Sequence, residues 1–554
     1  MRRFFVIISI LLSMGVYAQT DSTINRVVTV EREFQPVIQD AGKINQRPLI
    51  LQHDLQLNPV VYSTYSAPLS IGHNVHPLQV AKTDFTPQAP LNGVLEGAVG
   101  YRNTHLLFGY QLHKKKNDLN LYANHNAYWG KDALSQSDVG MLLTHHFQTA
   151  DLYFGLEGQC ETYQYQPLFN MSTLGNANTR IGIVSTHTKP LQYRIQTGYK
   201  AFITSIAIEH QVNSHFDISW TNQHHDAGVK ASVQNRFYSP VYQRMSASPS
   251  HAIRIEPFYE YNNKSIHVHA GINLDMNIGT GKMLSNIEDL SFAPSPNVQF
   301  AWHTTNNIFH LYANAIGCLG LGSVEEYMGY NRYLNLRDGL AWKSPRVYTP
   351  VDAQIGFKLL PTKTILIDIY GGYAYLKNAC NMQAVCQEDM LNYQLWLDDY
   401  QRWRVGANIH YHYRDILEIN LGGNYYFYQQ EPIPSMDPES PHFQEIHLRG
   451  THIFDRPNWD AYARVEAHID SKWSIYTENY FTGSRFAYVQ YYSDGASVVA
   501  LKPIISLNIG GQYIINRWLS VYLQLDDYLN RKDEIFYGFQ SQGIHFLAGV
   551  KWKF

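Results

Sequence analysis

Beyond its first residues the chain has no run of about 18 apolar residues, the length that a membrane-spanning helix needs. Mean hydropathy is −0.30, so nothing points to a helical membrane protein. A membrane barrel stays open, because its strands alternate polar and apolar positions and average out as polar. Charge is sparse as well: Asp, Glu, Lys and Arg make up 16% of 554 residues, and the net charge is −3. With no basic excess to neutralise phosphates, nucleic-acid binding is excluded. Only four cysteines occur, Cys160, Cys318, Cys380 and Cys386, without zinc-ligand spacing. Cys380 and Cys386 are spaced to close a small loop disulfide in an oxidising compartment. There is no Gly-x-Ser-x-Gly, no His-Glu-x-x-His and no phosphate-binding loop. No catalytic residue, cofactor or metal is therefore assigned, and the chain is not expected to be an enzyme.

What the chain has is 45% hydrophobic residues, too many for disorder, and 41 Tyr. Arg2 and Arg3 precede an apolar stretch from Phe4 to Val16, and Val16-Tyr17-Ala18 ends in a small residue. This reads as a signal peptide over residues 1–18, removed before Gln19. No Cys follows the site, so a lipid anchor is not expected. Residues 19–90 contain Pro36, Pro48, Pro59, Pro68, Pro77, Pro87 and Pro90. Proline at that frequency excludes long helices and central strands, and the segment reads as an extended periplasmic or plug-like piece.

From Leu91 the pattern changes to period two. In the last eleven residues Ile544, Phe546, Ala548, Val550, Trp552 and Phe554 share one face. His545, Lys551 and Lys553 lie on the other. Similar stretches recur: Ile266 to Asp275, Arg402 to Tyr411, Trp459 to His468 and Leu519 to Asp526. Charge stays on one face in each. A Lys or Arg on a lipid face at mid-membrane would cost about 2–4 kcal/mol. The stretches run about 10–12 residues, enough to cross a bilayer with tilt, whereas sandwich strands are nearer 5–6.

Short turns are predicted at Lys114–Lys116, Gln148–Asp151, Lys189–Pro190, Asn213–Ser214, Asn262–Lys264, Asn306–Asn307, Pro361–Lys363, Arg414–Asp415, Asp470–Lys472 and Asn516–Arg517. Long loops are predicted at 225–250, 276–296, 318–349, 378–400, 429–457 and 483–499. With both termini on the short-turn side, the fold class is all-β: a transmembrane antiparallel barrel of about 22 strands (range 14–22) over residues 91–554. The last strand should pair with the first, near Leu91 to Tyr101, and close the sheet.

On this register Arg402, Arg404, Glu418, Asp460, Arg464, Glu466 and Glu478 face the lumen as candidate lining residues. Two readings apply: a solute path or plug contact, and a solvated wall of paired ions. His267 with His269, and His410 with His412, share faces, but a polar wall accounts for them as well as a metal does. His224–His225 and His145–His146 are adjacent and point apart.

The block from Leu525-Asp526-Asp527-Tyr528 to Val550-Lys551-Trp552-Lys553-Phe554 resembles the end of TonB-dependent-receptor-like barrels of Gram-negative bacteria. Phe546, Trp552 and the C-terminal Phe554 look like the sorting strand of such barrels. Val27-Val28-Thr29-Val30 faintly resembles the short box by which those receptors engage their energy transducer. Residues 19–90 are too few for their plug domain. The resemblance implies a place in the cell outer membrane, contact with its lipid and assembly machinery, and passage of a solute whose identity is unknown. The alternative is a non-transporting scaffold that docks envelope proteins such as surface lipoproteins.

Overall fold

The computed structural model describes residues 92–129, 133–164, 171–186, 190–204, 207–240, 249–278, 291–334, 346–387, 390–430, 453–491 and 495–554. The expected signal peptide and the segment 19–90 lie outside the described residues. The strands of the first half are β1 (Gly93–Tyr101), β2 (Asn103–Lys114), β3 (Asn117–Tyr128), β4 (Leu134–His146), β5 (Ala150–Gln164), β6 (Met171–Ser185), β7 (Leu191–Ile203), β8 (Ala207–Asn222), β9 (His225–Pro240), β10 (Ser250–Asn262), β11 (Ile266–Ile278), β12 (Phe292–His303) and β13 (Phe309–Leu321). A short helix, α1 (Val324–Tyr330), follows. Then come β14 (Arg346–Thr362), β15 (Ile365–Gln387), β16 (Met390–Tyr413), β17 (Leu417–Gln430), β18 (Trp459–His468), β19 (Trp473–Thr482), β20 (Arg485–Tyr491), β21 (Gly495–Leu501), β22 (Ile504–Ile514), β23 (Leu519–Asp526), β24 (Glu534–Phe536), β25 (Phe539–Gln540) and β26 (His545–Lys553).

Each strand from β1 to β18 pairs antiparallel with its successor, then β19 with β22, β22 with β23, and β23 with β26. β26 pairs with β1, from Val94 opposite Lys553 to Tyr101 opposite Phe546. The result is a closed antiparallel barrel of 22 strands, as predicted, with the terminal strand in its predicted place. Closure removes the open edges that such long two-faced strands would otherwise present. At the seam Gly93 N–H donates to Phe554 O at 2.7 Å, and Phe554 N–H to Gly93 O at 2.9 Å. β20 and β21 leave the wall as a hairpin, held by parallel pairing of β20 with the far end of β15.

The alternating sequence produces the two faces. Val99, Ile355, Val405 and Leu523 point outward and are at least 60% exposed, which only lipid makes favourable for a belt of this kind. Their neighbours Glu96, Gln354, Arg404 and Gln524 point inward. Many tyrosines also face inward. Tyr122, Tyr153, Tyr312, Tyr370, Tyr462, Tyr476 and Tyr522 each sit directly opposite a glycine on the neighbouring strand. A Cβ at Gly549 would lie 2.4 Å from the Tyr522 ring. The missing side chain is what lets the ring lie flat along the wall.

Nine of the ten predicted short turns fall at junctions between successive strands, with Lys189 of one of them outside the described residues. The tenth, Asn213–Ser214, is a correction. Both residues lie inside β8, opposite Gly198 and Thr197, and the real turn is Gln223–His224, where Gln223 takes a φ of 49°. Two loop predictions are corrected with it. Residues 225–240 form β9 rather than a loop. Much of 378–400 is the outer part of β15 and β16, which pair from Ala379 opposite Asp398 to Gln387 opposite Met390. A Cys380–Cys386 disulfide, which the spacing allowed, is not formed. Both residues are free, and six positions along one strand separate them by about 20 Å, far beyond disulfide reach.

Candidate functional site

The seven lumen candidates all lie on the inner wall, and neighbouring residues satisfy most of their polar groups. Arg402 Nη2 lies 3.1 Å from Asp352 Oδ2, two strands away on β14. Arg404 donates to Gln354 in the same way. The intervening β15 residues, Ala374 and Gly372, are small, so the long arginines reach across them. Arg464 bridges Glu466 at 3.0 Å and Glu478 at 3.2 Å. Glu418 sits opposite Glu466 and accepts from Asn420 at 2.9 Å. Asp460 accepts from Asn424 at 2.9 Å.

A chain of contacts joins Arg404 to Asp460. The Arg404 guanidinium lies 5.5 Å from the Tyr370 ring centre. Tyr370 O–H donates to Asn424 Oδ1 at 2.7 Å, and Asn424 carries the chain to Asp460. Asp352, Gln354, Tyr370 and Asn424 escape sequence reading, since their role depends on which strands neighbour which. In the other half of the wall His269 Nε2 is 3.0 Å from Glu256, and His269 and His267 each lie 3.6 Å from Glu260. Among the described residues no three His, Cys, Asp or Glu are placed to hold a metal. Phe546 and Trp552 face outward, 41% and 48% exposed, and Trp552 contacts Phe554 with ring centres 5.0 Å apart.

The second part of the site is a cap across the end of the barrel that carries the longer connections. Ser323 caps α1 by accepting from Glu326 N–H at 2.9 Å, and Glu325 and Glu326 complement its first turn. Val324, Tyr327 and Met328 form its buried face. α1 and its flanks are clamped to the opposite wall. Val324 N–H donates to Glu209 on β8 at 2.7 Å. Arg236 on β9 donates to the carbonyls of Leu321 and Gly322. Asn176 on β6 donates to Glu325 at 2.7 Å. Arg332 meets Glu161 on β5 at 2.8 Å.

The connection after β23 completes the cap from another side. Phe539 stacks on Tyr333 with ring centres 3.8 Å apart, and Phe536 meets Tyr330 edge-on at 6.0 Å. Arg485 on β20, 1% exposed, donates to Ile535 O at 2.5 Å and Glu534 O at 2.6 Å. Tyr393 O–H on β16 donates to Tyr537 O at 2.8 Å. One buried apolar cluster therefore contains Tyr128 and Tyr163 from the wall, α1, the β15–β16 extension, the β20–β21 hairpin and the β24–β25 segment. β5 and β14 lie nine strands apart in the 22-strand wall, so the contact of Tyr163 with Tyr333, 6.3 Å between ring centres, spans the mouth. Beside this cluster, burial pushes the Asp455 carboxyl up to about 7, with Arg485 and Arg456 drawing it back.

No family model matches the chain, and no curated protein matches it in sequence. Solved structures do. It is similar to the copper transporter OprC (TM-score 0.63, 8% identity) over 84% of this chain and 80% of that one. A variant of the ferric enterobactin receptor PfeA from Pseudomonas aeruginosa gives a TM-score of 0.61 at 10% identity, over 84% and 80%. The FrpB iron transporter from Neisseria meningitidis gives 0.62 at 8%, over 84% and 81%. At such identities the likeness is one of fold. The chain shares their fold, here a closed antiparallel β-barrel of 22 strands.

Proposed function

We propose that the protein passes a solute across the outer membrane through its polar lumen, and that the cap gates one end of the passage. The cap carries this reading: a buried core of the kind that closes a protein interior lies over a wall lined with charge and amide. A lumen of 22 strands is wide enough to leak unless something fills it. Kinship in fold with proteins described as transporters supports passage without naming the solute. We assign no enzymatic role. The lipid-facing belt contacts membrane lipid, and the strand carrying Phe546, Trp552 and Phe554 is the part offered to the assembly machinery. Residues 19–90 are proposed to enter or cover a barrel mouth.

The rival is the scaffold that docks envelope proteins. It is favoured by one observation: arginines 402, 404 and 464 are engaged by their neighbours, leaving little free charge to attract a solute. A cysteine pair replacing Tyr163 and Tyr333, with the four natural cysteines replaced by alanine, separates the two. Joined by a thiol-cleavable linker, the cap should stop entry of small sugars and dipeptides into liposomes, and reductant should restore it. Entry indifferent to the link, or no entry together with stoichiometric co-purification of an envelope protein, favours the scaffold.

A further inference from the structure

Arg456, in the segment before β18, is buried in the cap at 5% exposure. Its Nη2 donates to Cys380 O at 3.2 Å, and its guanidinium lies 5.4 Å from the Tyr330 ring centre. Its Nε and Nη1 find no acceptor among the described residues. The guanidinium cannot shed its proton, and an uncompensated buried charge is costly. A neighbouring ring offsets only part of that cost.

Two nearby carboxyls do not neutralise it. Asp455 is drawn down more by Arg485 than by Arg456, and burial keeps it raised. Glu326 is raised by burial and drawn back by Arg236 and by its bond with Ser323. Two buried guanidiniums, Arg456 and Arg485, thus share one carboxyl that burial holds towards its neutral form. Water would supply acceptors but no charge.

Arg456 also lines a cavity with Glu326, Tyr327, Tyr330, Met382 and Tyr400. The space suits roughly two waters or one anion of few atoms. We propose that this cavity binds a small monovalent anion, of halide or formate size, held by Arg456, and that the anion fastens the cap in its closed form. Sulfate and gluconate are too large to enter. The binding stands independently of the transport reading, and only its consequence for gating rests on that reading.

The test uses the whole protein in detergent and follows proteolysis of the cap at equal ionic strength. Bromide or formate at ten times its Kd should slow cleavage about tenfold relative to gluconate, by binding the closed form alone. Arg456→Gln should lose the difference, and Arg404→Gln, on the lumen wall, should keep it. If Arg456→Gln does not fold, the native protein decides: crystals grown in bromide should show an anomalous peak within hydrogen-bond distance of Arg456. Equal rates in bromide and gluconate, or no such peak, would overturn the proposal and leave those N–H groups to water. Conductance plays no part here, so the transport reading can fail while this one holds.

Discussion

Lys551 Nζ on the last strand lies 3.5 Å from Glu96 Oε2 on the first. The pair bridges the seam from the lumen side, and both residues are almost fully buried, at 6% and 5% exposure. His105 Nε2 adds a second contact to Glu96 at 3.5 Å. Removing one partner of a buried pair costs about 3–5 kcal/mol, whereas replacing both with apolar groups is often nearly neutral. Lys551→Met should therefore lower the temperature at which the folded band disappears on heated gels. Adding Glu96→Leu should recover much of the loss. Additive losses would show that the two residues act separately.

The seam also explains the C-terminal residue. A Cβ at Gly93 would fall 2.5 Å from the Phe554 ring. Gly93→Val should displace that ring, and deletion of Phe554 should remove both the ring and the closing backbone pair. Each variant should give several-fold less folded protein in the outer-membrane fraction. Unchanged yield from the deletion would remove Phe554 from the account of assembly.

Turn positions give a direct check of register. An epitope of about ten residues inserted after Gln223 should be tolerated, because that site joins β8 to β9. The same insertion after Asn213 should abolish the folded band, because it breaks β8 where Asn213 faces Gly198. Equal tolerance at both sites would contradict the strand assignment.

Asn213–Ser214 shows where sequence reading stops. Asn and Ser favour turns, but here Asn213 lies on the polar inner face of a strand and Ser214 on its outer face, bonded to Thr197 at 2.9 Å, while the real turn uses Gln and His. The barrel itself was legible because each strand repeats one local rule, apolar out and polar in, over about ten residues. The inward direction of Arg402, Arg404, Asp460 and Arg464 followed from that rule alone. Their partners did not, since Asp352 meets Arg402 only across β15. The cap was the least legible part. Its core joins Tyr163, Tyr333 and Phe539, residues up to hundreds of positions apart, and α1 lies in a stretch, 318–349, that reads as a loop.

Cap stability should depend on pH through Asp455. Its folded pKa, about 7, lies above the ordinary value of 3.8, so the unfolded chain gives up this proton first. The contribution is fully present below about pH 4, is lost as pH rises through 7, and is flat above that, at most about 4 kcal/mol in all. Asp527, raised to about 6 by burial and by Asp533, acts with the same sign. The near-ultraviolet melting temperature of the cap tyrosines should fall from pH 4 to pH 8, and Asp455→Asn should flatten the slope. A flat profile in the native protein would count against a buried, protonated Asp455.

The cap as a seal is tested most directly by conductance in planar bilayers. Two proteins are compared: a deletion of residues 20–88, which removes any plug, and the same deletion carrying Arg485→Gln, which removes the donors to Ile535 and Glu534. The deletion should show only rare, brief steps as the cap opens, and the double variant should open large, frequent conductance steps while keeping its heat-modifiable folded band. Steady conductance from the deletion alone, or silence from a folded double variant, would contradict the claim that this cap closes the barrel.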